Sequence, residues 1–150
     1  MPNHVTNVIE THEKVIKSML DKNGLVDFCK IIDPAKKYWG TKRNAYGQNA
    51  KDNTPTKLIF QTAWKHPIPI IKTLSEKFPE HEIKVNFADE DIGKNCGYYT
   101  IKNGFFIEKN IAPKPSDMTD KEKSKWREFA FKLAFKGENP KDYGFNENFL

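Results

Sequence analysis

Residues 83–88, Ile-Lys-Val-Asn-Phe-Ala, alternate apolar with polar or small side chains at a period of two. That alternation predicts a strand with one face on a core. It also constrains the rest of the chain, because a half-buried strand needs neighbours for its backbone and a second layer over its apolar face. The same period opens the chain, where Val5, Asn7 and Ile9 interleave with Thr6 and Glu10 and predict a strand over 4–10. A third run, 56–64, sets Leu58, Phe60 and Thr62 against Ile59, Gln61 and Ala63, a composition compatible with cover on both sides.

Helical spacing fills the gaps. Thr11 is read as the cap of a helix whose apolar face is Val15, Ile16, Met19 and Leu20, with Asn23-Gly24 as its stop. Residues 25–32, Leu-Val-Asp-Phe-Cys-Lys-Ile-Ile, are read as a short extended segment ended by Pro34. Residues 44–51 are read as a strand joined to 56–64 by the turn formers Asp52-Asn53-Thr54-Pro55. Pro67 and Pro69 suit the first turn of a helix with Ile71, Leu74 and Phe78 on its buried face. Runs 97–101 and 105–109 flank Lys102-Asn103-Gly104, and the Asn-Gly pair predicts a tight hairpin. Thr119 and Glu122 form a capping box before Trp126, Phe129, Ala130 and Leu133, with Gly137 as the stop and the last thirteen residues as a frayed tail. The order strand, helix, strand, strand, helix, strand is that of a split βαβ, ferredoxin-like antiparallel sheet. The fold class expected is α+β, with helices on one face and an added C-terminal hairpin and helix. Residues 1–112 form the domain, and the linker, helix and tail of 113–150 pack on it.

One hundred and fifty residues suit a single domain with its own core. Charged residues make up 30% and hydrophobic ones 37%, which implies a well-solvated surface over a modest core, and the aromatic share of 13% compensates by area. There is no apolar run of membrane-spanning length. The chain enters its first strand at once, which predicts no leader. Cys29 and Cys96 lie far apart, so a reduced, cytoplasmic protein is expected. The net charge of +5 is concentrated: residues 30–72 hold nine basic and two acidic residues, while the flanks are each close to neutral. This predicts a polyanionic partner or an acidic protein surface, against the plainer reading that Lys residues solubilise strand edges.

Catalytic signals are weak. His4, His12, His66 and His81 show no metal-ligand spacing, the cysteines no CxxC, and there is no Gly-rich phosphate loop. A Cys96–His66 nucleophile pair is set aside, since buried Cys is commonly a small core residue. Asp89, Glu90, Asp91, Gly93 and Asn95 share a loop, but Lys94 and Thr100 occupy positions where a calcium loop needs Gly and Glu, so a solvated acidic turn is expected. The strongest constellation interleaves aromatics and cations: Lys36, Lys37, Trp39, Lys42, Arg43, Tyr46, Lys51, Trp64 and Lys65. Sheets of this kind bind single strands by stacking bases on exposed aromatics. The octamer typical of such sheets is missing, and core packing is the favoured reading for Trp39 and Trp64.

The opening Met-Pro-Asn-His-Val-Thr-Asn, the segment Asp27–Pro34, the block Trp39–Gly47 and the stretch Thr62–Ile71 together resemble the YubB/Api92-like ferredoxin-fold family of plasmids, phages and prophages. The resemblance covers roughly residues 1–100. It implies a ferredoxin-like domain of mobile-element origin and carries over no catalytic residue. Arg43 stands where the family block often has Trp, and Asp33 where Ile and Pro commonly adjoin. The expected function is that of a non-enzymatic accessory protein without cofactor. Its basic surface would bind a host protein or nucleoprotein, as an inhibitor of a defence system such as a CRISPR effector would in blocking a nucleic-acid path. Direct binding of single-stranded nucleic acid is the alternative, an enzyme with an unrecognised site the weaker one, and no membrane partner is expected.

Overall fold

A computed structural model describes residues 3–143. Five strands form one antiparallel sheet: β1 (His4–Glu10), β2 (Lys57–Ala63), β3 (Ile83–Asp89), β4 (Cys96–Lys102) and β5 (Phe105–Ile111), in the spatial order β2-β1-β3-β4-β5. The helices are α1 (Glu13–Met19), α2 (Ile68–Lys77) and α3 (Asp120–Ala134). β2 and β3 run parallel on either side of β1 and are joined through α2, which is the split βαβ unit expected from the sequence.

Register decides the faces. Val5, Asn7 and Ile9 stand opposite Thr62, Phe60 and Leu58 on one side and Asp89, Phe87 and Val85 on the other, so all nine share a face. That face carries the main core with Val15, Ile16 and Met19 of α1 and Ile70, Ile71 and Leu74 of α2. The Asn103-Gly104 turn between β4 and β5 takes φ of 49° and 79°, as a two-residue hairpin requires. The capping box of α3 forms as expected, with reciprocal bonds between Thr119 and Glu122.

Four expectations are corrected. First, the helices do not share one face. α3 packs on the other side of the sheet, where Trp126 and Ala130 bury Ala88 and Cys96 and contact Tyr98. β3 and β4 present those apolar groups on their second face, and the apolar stripe of α3 covers them. Secondly, 44–51 is not a strand. Only Tyr46 pairs with Gln61 at the β2 edge, and residues 50–52 form a 3₁₀ turn. The polar side chains of the segment bond backbone instead: Asn44 Oδ1 accepts from the Phe28 N–H, Gln48 Oε1 from the Val26 N–H and Asn49 Oδ1 from the Lys51 N–H. Gly47 at φ 57° also leaves strand geometry directly after Tyr46.

Thirdly, 25–32 is not extended. Val26 bridges Leu20, and Asp27 caps a 3₁₀ turn over Phe28–Lys30 by accepting from the Cys29 N–H. Fourthly, α1 is capped by His12, whose Nδ1 accepts from the Lys14 N–H, while the Thr11 hydroxyl donates to the Glu82 carbonyl. The helix ends at Met19 rather than at Asn23-Gly24, because Leu20 turns into its bridge with Val26. β2 is fully covered on one side only, since Ile59 and Gln61 stay half-buried. Part of the tail, 144–150, lies outside the described residues.

The irregular 25–32 segment is core despite its shape. Phe28 is fully buried and meets Phe60 and Trp39 edge-on at 5.8 and 5.6 Å. Phe28→Ala is therefore expected to cost about 3–5 kcal/mol by urea denaturation, the range for a buried ring. A loss below about 1 kcal/mol, typical of surface sites, would mean that the segment is peripheral.

Candidate functional site: a basic aromatic rim

The chain turns sharply after β2. Trp64 adopts φ 63°, a left-handed conformation rare for a bulky side chain. Three backbone contacts hold it there. The Trp64 N–H donates to the Asn3 carbonyl at 2.9 Å, Asn95 Nδ2 donates to the Trp64 carbonyl at 2.7 Å, and the Lys65 N–H donates to the Ala63 carbonyl at 2.7 Å. The turn pushes the indole outward, 42% exposed, with the Lys42 ammonium 5.2 Å from the ring centroid. Lys42 is positioned by its neighbour Thr41, whose buried hydroxyl donates to the Ala63 carbonyl.

Behind the rim lies a buried polar network. Thr62 Oγ1 donates to the Lys65 carbonyl at 2.7 Å and accepts from Asn7 Nδ2 at 3.0 Å. His66, 5% exposed, reaches Asn7 Oδ1 through Nδ1 at 2.7 Å and the Tyr99 hydroxyl through Nε2. The Asn7 amide nitrogen already donates to Thr62 and to the Val5 carbonyl, so its oxygen is the acceptor. His66 is then the neutral Nδ1–H tautomer, with Tyr99 donating to Nε2. The ring also stacks on Phe87 at 4.5 Å. Burial pushes its pKa down to about 3 and the Tyr99 phenol far up.

A second small cluster flanks the rim. The His4 N–H donates to Glu90 Oε1 at 3.0 Å, and His4 Nδ1 lies 2.7 Å from the Tyr46 hydroxyl. Burial pushes the Tyr46 phenol up, with Arg43 opposing the shift and Glu90 adding to it.

The structure sorts the sequence candidates. Lys42, Arg43, Tyr46, Trp64 and Lys65 gather where β2 ends, all exposed except the half-buried Tyr46. The two tryptophans, read together as core, separate: Trp39 packs on Phe28 and donates from Nε1 to the Ile32 carbonyl, whereas Trp64 faces solvent. Lys36 and Lys37 are exposed on a turn closed by the Asp33 carbonyl, and no contact brings them to Trp64 among the described residues. Lys51 sits in the turn before β2, at the far end of a seven-residue strand from Trp64, roughly 20 Å away at the usual rise. Sequence reading missed His4 and Asn95. They lie 42 residues from Tyr46 and 31 from Trp64, and only the sheet brings them close.

The remaining catalytic suggestions find no site. His66 and Cys96 occupy opposite faces of the sheet, so they form no pair; burial and Asp89 push the Cys96 thiol up to about 12. In the acidic loop, Asp89 accepts from the Asp91 N–H and from Asn95 Nδ2, and Asp91 pairs with Lys94 at 2.9 Å. No three His, Cys, Asp or Glu side chains converge on a common point among the described residues. No helix among them is long and apolar enough to cross a membrane.

A native histidine held near pKa 3 stays neutral while the unfolded one, near 6.5, takes up a proton. The unfolded state therefore binds more protons between these values, and stability is full above pH 6.5 and falls on acidification towards pH 3. The expected slope from this group is up to about 1.4 kcal/mol per pH unit. His66→Gln, followed by urea denaturation at pH 7, 5.5 and 4, is expected to be less stable at pH 7 by about 1–3 kcal/mol and to show a shallower acid slope. An unchanged slope would place the acid sensitivity elsewhere.

A family model described as the ferredoxin-like domain in Api92-like protein matches residues 42–130, more than half of the chain. The chain belongs to this Api92-like ferredoxin-like family. No curated protein and no solved structure matches it.

Proposed function

We propose that this Api92-like ferredoxin-like protein is a non-enzymatic binding protein that docks on a host nucleoprotein through the Trp64 rim. The observation that carries the reading is Trp64 itself. A left-handed backbone costs a bulky residue about 1–2 kcal/mol, and it is used here to keep a large ring in solvent beside a cation. Strain of this kind concentrates at functional sites. Exposed Trp64 with Lys42 against its ring, and with the exposed Arg43 and Lys65 next to these two in the chain, has the composition of an interface hot spot, and its charge suits an acidic or phosphate-bearing surface.

Base stacking across the sheet is disfavoured, because α3 covers Tyr98 with Trp126 and Phe129. That leaves the rim rather than the sheet face for recognition. A compact protein of mobile-element origin that occupies a nucleic-acid path in this way would act as an inhibitor of a host defence complex. Two free cysteines agree with action in the reducing cytoplasm. Direct capture of a single strand is the second reading, favoured by the exposed indole as a stacking platform.

Trp64→Gly and Lys42→Glu/Arg43→Glu test this with tagged protein in host extract, with and without nuclease. Trp64→Gly is expected to lose the captured complex yet to be no less stable, since Gly relieves about 1 kcal/mol or more of backbone strain. The charge reversal is expected to lose it too, with the fold intact. Capture that survives both variants would overturn the rim reading. Capture abolished by nuclease would favour direct strand binding over a protein surface.

A further inference from the structure

The rim does not end at Trp64. Asn95, which holds the Trp64 carbonyl, is followed backwards by Lys94 and Gly93, and these line a small cleft of about 240 Å³ with Asp91, Lys123 and Arg127. Three cations face one carboxylate there, and that carboxylate is already paired, Asp91 with Lys94 at 2.9 Å. Lys123 and Arg127 lie one turn apart on α3, where like charges repel along the helix. Neither has an ion-pair partner among the described residues, although Lys123 is half-buried. Arg127 is also set in place: its Cγ lies over Gly93, where even a Cβ would approach it to 3.0 Å. The Gly93 N–H has no acceptor among the described residues.

We infer that this cleft is a phosphate-ester site, and that a nucleic-acid strand seats one phosphate in it while passing along the rim to Trp64. An arginine fork beside a lysine is the chemistry that recognises phosphate. The two uncompensated cations complement the negative charge of a phosphate group, about one unit on a strand's diester and close to two on a monoester. The volume is below the roughly 300–1,000 Å³ of ordinary ligand pockets, which fits one phosphate rather than a whole cofactor. Trp64, adjoining through Asn95, adds a face on which a base can stack, and this combination of cationic path and aromatic platform is that of strand binding. The phosphate's source in a strand rests on the second reading of the rim above, direct capture of a single strand; the phosphate site itself does not.

The test is a titration of ¹⁵N-labelled protein, first with inorganic phosphate and then with a short single-stranded oligonucleotide. Variants are Lys123→Ala/Arg127→Ala, Trp64→Gly, and Lys132→Ala as a control at the far end of α3. Saturable shifts of the Gly93 and Lys94 amides with phosphate are expected in wild type, Trp64→Gly and Lys132→Ala, and not in the double variant. The oligonucleotide is expected to bind at least tenfold more weakly to the double variant, with a salt slope lower by about one unit. Phosphate binding without strand binding would keep the phosphate site, assign a free phosphate ester as its ligand and overturn the strand. Loss of strand binding in Trp64→Gly with phosphate shifts intact separates failure at the rim from failure at the cleft. Absence of saturable shifts in wild type, or equal shifts in the double variant, would overturn the site.

Discussion

The centre of the structure is a hydrogen bond between two polar side chains in a place built for apolar ones. Asn7 lies fully buried in the middle of β1, between β2 and β3, and its oxygen receives His66 Nδ1–H at 2.7 Å. From that bond the network reaches β2 through Thr62 and β4 through Tyr99. A buried polar group left without its partner costs about 1–3 kcal/mol, so the network tolerates only one arrangement of these strands. It also fixes how the chain leaves β2. Thr62 holds the Lys65 carbonyl and His66 is pinned beneath, so of the three residues between, Ala63 stays buried while Trp64 and Lys65 turn outward. Core polarity and surface exposure are thus two ends of the same constraint.

The sheet distributes its work between its faces. One face buries α1, α2 and the irregular 25–32 segment and supplies most of the core. The other is closed over β3 and β4 by α3, through Trp126 and Phe129 against Tyr98. Closing that face is why the recognition proposed above is assigned to the end of the sheet where β2, β3 and β4 exchange loops. There Trp64, Asn95 and the cations of the 41–43 loop converge, and the loop between β3 and β4 that carries Asn95 touches α3 through Gly93 and Arg127. β5 remains an exposed edge with Phe105 and Ile107 in solvent, and the bulge at Thr100/Ile101 twists that edge, a device that discourages indiscriminate pairing.

Regular elements were legible in the sequence because their signals are local. The alternation of Ile83, Val85 and Phe87, the Asn103-Gly104 pair and the Thr119–Glu122 box each act within a few residues, and each appears where expected. The 44–51 run misled because Asn44, Gln48 and Asn49 are read as turn or strand residues from composition, whereas their side chains cap backbone up to 22 residues away. Placement of α3 was illegible for a related reason: an apolar stripe says that a helix is covered, not by which face. In the candidate site, the cations and Trp64 were visible as types. The left-handed turn that exposes Trp64, and the arrival of Asn95 and Arg127 beside it, depend on strand register and have no mark at any fixed spacing.

The central claim is that the protein meets its partner through the rim presented by the buried network. Hydrogen–deuterium exchange of the purified complex, compared with the free protein, tests it directly. Protection is expected at 41–46, 64–66 and 92–96, with β5 and the 50–56 turn unchanged. Protection confined to β5 or to 50–56, with the rim exchanging as in the free protein, would contradict the account.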